Sequence, residues 1–474
     1  MSDGLQAARH ALAGKDAWLV GGAVRDELLG RACADFDVVV AEDPQQAAKA
    51  VARAAGRAAC FALSEEFGSW RVVDRDGRWQ VDFEPMRGAT LEEDLGLRDF
   101  TVNAIAQPIE GGEPIDPLGG AADLRSRTLR MAGPGAFELD PLRVLRMVRM
   151  AIELGLEPEE QTRSRAKAQA SRLSSVSGER IFMELRRIIA APAARRGVEM
   201  VGEIGAGAAV LPELEALRGV EQSRFHHSDV YGHTLEVLDR TIDLSAPGGP
   251  DCEQAAESMG SHRAQVGGLL AEPLADEMTR GEALRWGALM HDAAKPLTRD
   301  SRPEDGRVTF LGHDRRGAEL AREVLERLRT SERLRAHVAG LVRHHLRLGF
   351  LVHEPQPLAR RTVYAYLKAC SPVEVDVTLL SIADRLATRG AGSDVAIAKH
   401  LELARGMLGE ALRWRAQGTP APLLRGDELA RELGIAAGPQ LGELLEGIAE
   451  ARFAGEISTP EEALECARAL QASG

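Results

Sequence analysis

In the stretch LVGGAVRDELLGRACADFDVVV, which runs from Leu19 to Val40, Asp35 and Asp37 stand one residue apart in a segment of strand character. Residues i and i+2 of a strand share a face, so two carboxylates are aimed at one point. Like charges held that close repel, and burial sharpens the repulsion, so the arrangement calls for a cation between them. Mg2+ suits the role because it is hard, prefers oxygen ligands and pairs with substrate phosphates. Asp82, in WQVDFE, falls in the next predicted strand pair and is the candidate third carboxylate for two-metal, in-line phosphoryl chemistry. One strand earlier, Gly21 and Gly22 form a turn that lets backbone approach phosphates, and the helix start behind it favours anions. Arg25 is placed to clamp a triphosphate.

A second group of chemically capable residues lies downstream. His233 (VYGHTLEVL), His291-Asp292 (ALMHDAAKP), His313 (LGHDRRGAEL), His344-His345 (VRHHLRLGF) and Asp384 (SIADRLA) each fall in a predicted helix or at its end. Imidazoles and carboxylates converging from different helices make a divalent-metal site in which bound water becomes a nucleophile. His226, His227, His353 and His400 read as ordinary surface or core histidines.

The elements that must position these groups follow from the pattern. Residues 17–40 read as strand, glycine turn, short helix, strand, and residues 44–57 as an Ala-rich helix. RVVD and RWQVDFEPM read as a hairpin turning at Asp76-Gly77. From Pro141 the period changes. PLRVLRMVRMAIELG is an amphipathic helix with Leu142, Leu145, Val148 and Ile152 on one stripe and Arg143, Arg146 and Arg149 beside it. Further helices are predicted near 161–173 and at GERIFMELRRIIAA, and helices dominate from there to the end. The small-residue segment 245–268 reads as a surface loop or disordered insertion, and QGTPAPLL (417–424) as a linker. No internal repeat is visible.

At 474 residues the chain has room for several domains, and its 44% hydrophobic, 4% aromatic composition favours helices. No apolar run is long enough for a membrane span, no signal peptide is expected, and five widely spaced cysteines point to a reducing cytoplasm without a zinc ribbon. The net charge of −13 argues against a uniformly nucleic-acid-binding surface. Between Arg143 and Arg187, however, ten Lys/Arg face six Glu, a balance of +4, whereas from Lys399 to Gly474 eight face twelve acids, a balance of −4. An RNA footprint would therefore lie on the middle segment.

GGAVRDELLGRACADFDVVV closely resembles the signature of the class II tRNA nucleotidyltransferase and poly(A) polymerase family, of the form GGxVRDxxLGRxxxDxDxV. VDFEPMRG, EEDLGLRDFTVNAIA, IDPLGGAADLRSRTLR, ELDPLRVLRMVRMAIELG and SGERIFMELRRII resemble its further motifs in the same order. The resemblance implies an α+β chain: a small nucleotidyltransferase head of polymerase beta-like α/β type (1–135), then an all-α neck (136–222), an HD phosphohydrolase domain (223–416) and a C-terminal helical unit (417–474). It implies that Asp35 and Asp37 hold catalytic Mg2+, that Gly21, Gly22 and Arg25 meet the triphosphate, and that Arg98, Asp99 and Asn103 grip ribose and phosphates. Asp140 and Arg143, spaced i and i+3 on one helix face, match the pair that reads the incoming base, with Arg146 and Arg149 on the same nucleotide-binding helix. Two positions depart from the family: Leu97 and Leu139 stand where it usually carries Arg and Glu. Addition of A alone, or of CC alone, is therefore an alternative to addition of the whole CCA, as is polyadenylation of general RNA.

The order His233, His291-Asp292, Asp384 resembles the HD phosphohydrolase superfamily, with His313 and His344 or His345 matching the extra ligands of its dinuclear members; His344 is the assigned one. The implied metal is Ni2+, Mn2+ or Mg2+, and the implied activity is on 2′- or 2′,3′-cyclic phosphates. The implied partners are the tRNA 3′ end and acceptor arm, CTP and ATP, with Arg425 and Arg431 of the tail as phosphate contacts, no membrane, and a monomer or dimer.

Overall fold

The computed structural model describes residues 3–56, 58–64, 68–221, 228–245, 253–304, 306–388 and 394–473, which divide into two compact units, 1–210 and 211–474. His226 and His227 lie outside the described residues.

The first unit is built on a mixed sheet of β1 (Ala17–Val20), β2 (Asp35–Val40), β3 (Ala58–Ser64), β4 (Ser69–Asp74), β5 (Gln80–Pro85) and β6 (Ala106–Pro108), in the order β3-β4-β5-β2-β1-β6. Asp76-Gly77 turns the β4–β5 hairpin as expected, and Gly77 has φ 68°. β2 is central, and Val38, Val39 and Val40 are all buried, as a strand covered on both faces requires. It pairs in parallel with β5 so that Asp37 lies opposite Asp82 and Val38 opposite Phe83. Opposed residues of paired strands point the same way, so this register gathers the acidic groups on one face.

The amphipathic pattern after Pro141 forms helix Arg143–Leu154, which buries Val144, Leu145, Met147, Val148 and Ala151 and ends at Gly155 in the left-handed region. It packs against helix Gly178–Ala190. The helix predicted near 161–173 is present as Glu160–Gln169, followed by a 3-10 segment at Ala170–Ser175.

The second unit is helical, with two short ribbons of two-residue to three-residue strands among its described residues. Its core is built around Leu284, Ala288, Leu341, Leu380, Ile382 and Ala383. The expected surface loop is corrected over 253–270. Glu253–Met259 and Arg263–Leu270 are helices there, burying Met259, Val266, Leu269 and Leu270, an apolar spacing that the Gly and Ser content masked. The segment 418–424 carries no helix, and a small apolar cluster of Leu429, Leu441, Leu444 and Ile448 organises the residues after it. Among the described residues no helix is long and apolar enough to cross a membrane, and the four described cysteines are unpaired.

Candidate active site and metal centre

β2 alternates Asp35 out, Phe36 in, Asp37 out, so the two carboxylates share a face while Phe36 anchors the strand. Asp82 stands beside Asp37 on β5, and Glu84, two residues further on, extends the acidic row. Arg71 on β4 donates to both oxygens of Asp82, at 2.7 Å each. Asp37 opens to solvent on one side only. Desolvation by the protein around it, then the like charges of Asp82 and Glu84, push its pKa up to about 6. A carboxylate that resists ionisation among other carboxylates is one a divalent cation would relieve. These donors therefore fit a hard, oxygen-seeking metal.

The row faces a cavity of about 240 Å³ lined by Gly21, Gly22, Asp37, Glu84, Asp94, Leu97, Arg98, Asn103, Arg143 and Arg146, among others. Gly21 has φ 70°, and a Cβ there would stand 3.3 Å from Asp37 Oδ2 and 3.4 Å from Arg98 Nη1. The glycine is thus needed both for the turn and for the close approach of backbone to the acidic face. Arg25 donates to Asn103 Oδ1 at 2.6 Å, joining the glycine turn to the Arg98–Asn103 segment. Asp94 accepts from the Arg87 amide at 2.9 Å and lies 3.4 Å from Arg98 Nη2, which steers that guanidinium.

Asp99 is buried, which works against its charge. Arg146 at 3.2 Å, the Asn103 amide at 3.0 Å and the Phe100 N–H at 2.8 Å outweigh the burial and hold its pKa below the usual carboxylate range. Asp99 therefore organises the cavity wall. Arg143 is spent on main-chain oxygens, donating to Leu97 at 2.9 Å, Arg98 at 3.0 Å and Ala136 at 3.1 Å. Asp140 does not oppose it. Asp140 has extended backbone ahead of the helix, so the i, i+3 rule does not apply, and its carboxylate accepts from Arg180 at 2.8 Å. Arg149 is outside the cavity lining and is bound to Glu184 at 2.6 Å, while Arg146 Nε lies 3.3 Å from the same carboxylate. Buried Glu184, on helix Gly178–Ala190, thus ties down two members of the arginine row. Glu84, Asp94, Arg180 and Glu184 were not singled out from sequence. Glu184 carries a signal in retrospect, a lone acid on the apolar stripe of IFMELRRII.

In the second unit, His233, His291, Asp292, His313, His345 and Asp384 converge. All but Asp384, which is partly exposed, are buried. Asp384 Oδ1 is 3.0 Å from His233 Nε2, Asp292 Oδ2 is 3.1 Å from His291 Nε2, and Asp292 Oδ1 is 3.4 Å from His313 Nε2. Two overlapping triads, His233/His291/Asp292 and Asp292/His313/His345, have donor atoms close enough to share an ion. Nδ1 of His291, His313 and His345 contacts the carbonyls of Ala288, Phe310 and Val342 at 2.7, 2.6 and 2.7 Å. That second contact fixes each ring and turns Nε2 inward, the usual preparation of a histidine ligand. The donor set fits a transition-metal or magnesium centre. Burial opposes charge on Asp292, yet His291 and Lys295 hold its pKa well below normal, and Lys295 Nζ is 2.7 Å away. Burial, then the neighbouring His291 cation, lowers His345 to about 4.

The assignment of His344 is corrected. Both histidines sit at the end of helix Glu332–His344, and neighbours there point about 100° apart, so one alone can face the centre. His345 does, and His344 instead accepts a hydrogen bond from Arg347 at 2.9 Å. Lys295 was also missed, although it stands one turn after His291 in HDAAKP. Gly287 allows the close packing beneath this centre, since a Cβ there would meet Leu341 Cδ1 at 2.6 Å. In the tail, Arg425 is exposed and paired with Asp427 at 3.1 Å, and Arg431 is on helix Gly426–Leu433.

Residues 17–130 match the family model described as the poly A polymerase head domain, residues 155–217 the probable RNA and SrmB-binding site of polymerase A, and residues 260–389 the HD domain. The chain is 38% identical over 450 residues to the A-adding tRNA nucleotidyltransferase of Deinococcus radiodurans, covering 94% of this chain and 93% of that protein. It is 34% identical over 456 residues to the CC-adding tRNA nucleotidyltransferase of Thermus thermophilus, covering 95% and 92%. In fold it is similar to the CCA-adding enzyme of Bacillus stearothermophilus solved with CTP, with a TM-score of 0.65, 23% identity and full coverage of both chains.

Proposed function

The chain belongs to the class II tRNA nucleotidyltransferase and poly(A) polymerase family, with an HD domain, and on that premise we propose that it builds or repairs the 3′-terminal CCA of tRNA from CTP and ATP, releasing diphosphate. The observation that carries the reading is the acidic row of Asp35, Asp37 and Asp82 beside a cavity walled by Gly21, Gly22, Arg98 and Asn103. Mg2+ held by Asp35 and Asp37 would activate the RNA 3′-hydroxyl and neutralise the triphosphate. The protein's own work is to position. The glycine turn brings backbone up to the phosphates, Arg25 and Arg98 supply positive charge, and Asn103 and Asp99 hold the wall on which ribose rests. Arg143 keeps the Leu97–Arg98 turn in place, with Arg146 and Arg149 anchored behind it, and Asp140 with Arg180 offers an acceptor and a donor for a base edge.

A partial-specificity enzyme, adding A or CC alone, is the second reading. Leu97 lines the cavity and is 37% exposed where the family usually carries a guanidinium, Leu139 is 61% exposed, and A-adding and CC-adding relatives each match over nearly the whole chain. Transcripts ending at the discriminator base, at C and at CC, each incubated with CTP or ATP, separate the cases. CTP on the first two and ATP on the third is expected; ATP alone, CTP alone, or tailing of unrelated RNA selects the A-adding, CC-adding or poly(A) alternative.

The second centre is read as a phosphohydrolase acting on 2′- or 2′,3′-cyclic phosphates with Ni2+, Mn2+ or Mg2+, supported by its two triads and the HD match. The division into head, neck, HD domain and tail at 135, 222 and 416, the contact of Arg425 and Arg431 with tRNA, and cytoplasmic action belong to the same proposal.

A further inference from the structure

A cavity of about 570 Å³ opens beside His313, between the ribbon Asp300–Ser301/Val308–Thr309, the start of helix His313–Arg327 and helix Arg347–Leu351. Its wall has two characters. Arg302, Arg315 and Arg347 are exposed cations on it, and the one acid among its lining residues, Asp314, is paired with Arg343. Phe310 and Phe350 supply apolar ring surface, and Phe350 is 66% exposed. An exposed phenylalanine ring among arginine cations is a surface that suits a flat, anionic ligand.

The cavity is also wired to the metal centre. The Phe310 carbonyl contacts His313 Nδ1, and the Phe310 ring carries Lys295 Nζ 5.5 Å from its centroid, while Lys295 itself holds Asp292. His344, which faces away from the centre, orients Arg347 toward this wall. Aromatic faces stack bases, arginines track phosphates, and His313, which lines the cavity, belongs to the donor cluster.

We infer that this cavity seats a single-stranded RNA terminus, stacking its last bases on Phe350 and Phe310, binding its backbone with Arg302, Arg315 and Arg347, and delivering its terminal phosphate to the centre at His313. The inference rests on the phosphohydrolase reading for the fate of that phosphate, but the binding step stands apart from it. The test uses the full chain and a 5′-fluorescein hexaribonucleotide ending in a 2′-phosphate, followed by fluorescence anisotropy at about 0.1 M salt. Phe350→Ala is expected to weaken binding about tenfold, the cost of one lost stack. Arg302→Ala with Arg315→Ala should weaken it by a similar factor and flatten its salt dependence. Nucleotide addition to tRNA should be unchanged in both, which also reports that they fold. The hydroxyl-ended hexamer and 2′-CMP should each bind the native protein more weakly than the phosphate-ended hexamer. Undiminished binding by the variants overturns the inference, as does equal affinity for the two hexamer ends; 2′-CMP binding as tightly as the hexamer makes a free nucleotide the ligand and overturns the RNA terminus. If the native protein releases phosphate from no cyclic or terminal phosphate with any of the three metals, the phosphohydrolase reading fails, while the anisotropy series still decides this one.

Discussion

The two metal-binding regions solve the same electrostatic problem in opposite ways. In the first unit the carboxylates of Asp35, Asp37 and Asp82 come from two neighbouring strands and open onto a polar cavity. In the second, His233, the adjacent pair His291-Asp292 and His345 are 1–2% exposed and come from three different helices or their ends, which only packing brings together. A strand pair needs only its register to place two acids side by side. A helical centre needs every helix–helix contact around it to be right. The open site suits a large substrate that brings its own phosphates to the metal; the closed one suits an ion held chiefly by protein. One site should therefore be damaged by local chemistry alone, the other by packing as well.

Asp37→Ala should have the largest effect. It removes a carboxylate at the register position shared with Asp82, and the several kcal/mol assigned to metal-assisted charge stabilisation correspond to a loss of about a thousandfold in tRNA nucleotide addition. Phosphate release at the second centre should stay intact. Loss of both together would break the separation of the two sites.

The next effect is confined to the helical centre. His291→Ala should abolish phosphate release and lower the metal content measured by elemental analysis. His345→Ala removes a donor of the second triad and should lower the metal content measured the same way, whereas His344→Ala should leave it close to native because its ring is bonded to Arg347. Equal metal loss in the last two variants would contradict the assignment of His345 over His344.

How far the sequence reveals each region follows the same division. Asp35 and Asp37 are legible because strand alternation is a local rule, and so is the Asp76-Gly77 hairpin that carries Asp82 opposite Arg71, whereas the parallel β2–β5 pairing that sets Asp82 beside Asp37 is not local. The Asp140–Arg143 pairing is not legible, because its i, i+3 spacing counts only inside a helix, and the helix starts at Arg143. Of His344 and His345 only the tertiary packing selects one. The helices over 253–270 were hidden by their glycine and serine content: Gly260, Ser261, Gly267 and Gly268 are exposed, while Ser258 is buried, as are Val266, Leu269 and Leu270.

Packing behind the open site can be tested by Glu184→Ala, which leaves Arg146 and Arg149 without their shared buried partner. Removing one partner from such a pair typically costs about 3 kcal/mol, which is roughly 6–12 °C in Tm for a unit of this size. Nucleotide addition at low temperature should fall less than in Asp37→Ala. A Tm within a degree of native would mean that the arginine row is held by the nucleotide cavity and not by the helix behind it.

The smallest effect separates the units by pH. His400 is buried in the second unit, accepts or donates a bond to Ser381 Oγ at 3.1 Å, and is lowered to about 4, first by burial and then by the Arg385 cation. A histidine kept neutral in the fold but free to protonate near pH 6.5 when unfolded gives the unfolded state more protons below that value. Its contribution is therefore whole above pH 6.5 and is lost progressively as pH falls toward 4. At pH 5 that is about 2 kcal/mol, taken as 1.36 kcal/mol for each pH unit below 6.5. His400→Gln keeps a polar group for Ser381 but cannot titrate. Its melting temperature should fall less than that of the native chain between pH 7 and pH 5, and the difference should appear in the transition of the second unit. Parallel pH profiles for the two proteins would show that His400 already carries its proton in the folded state, or that its surroundings are as wet as the open cavity of the first unit.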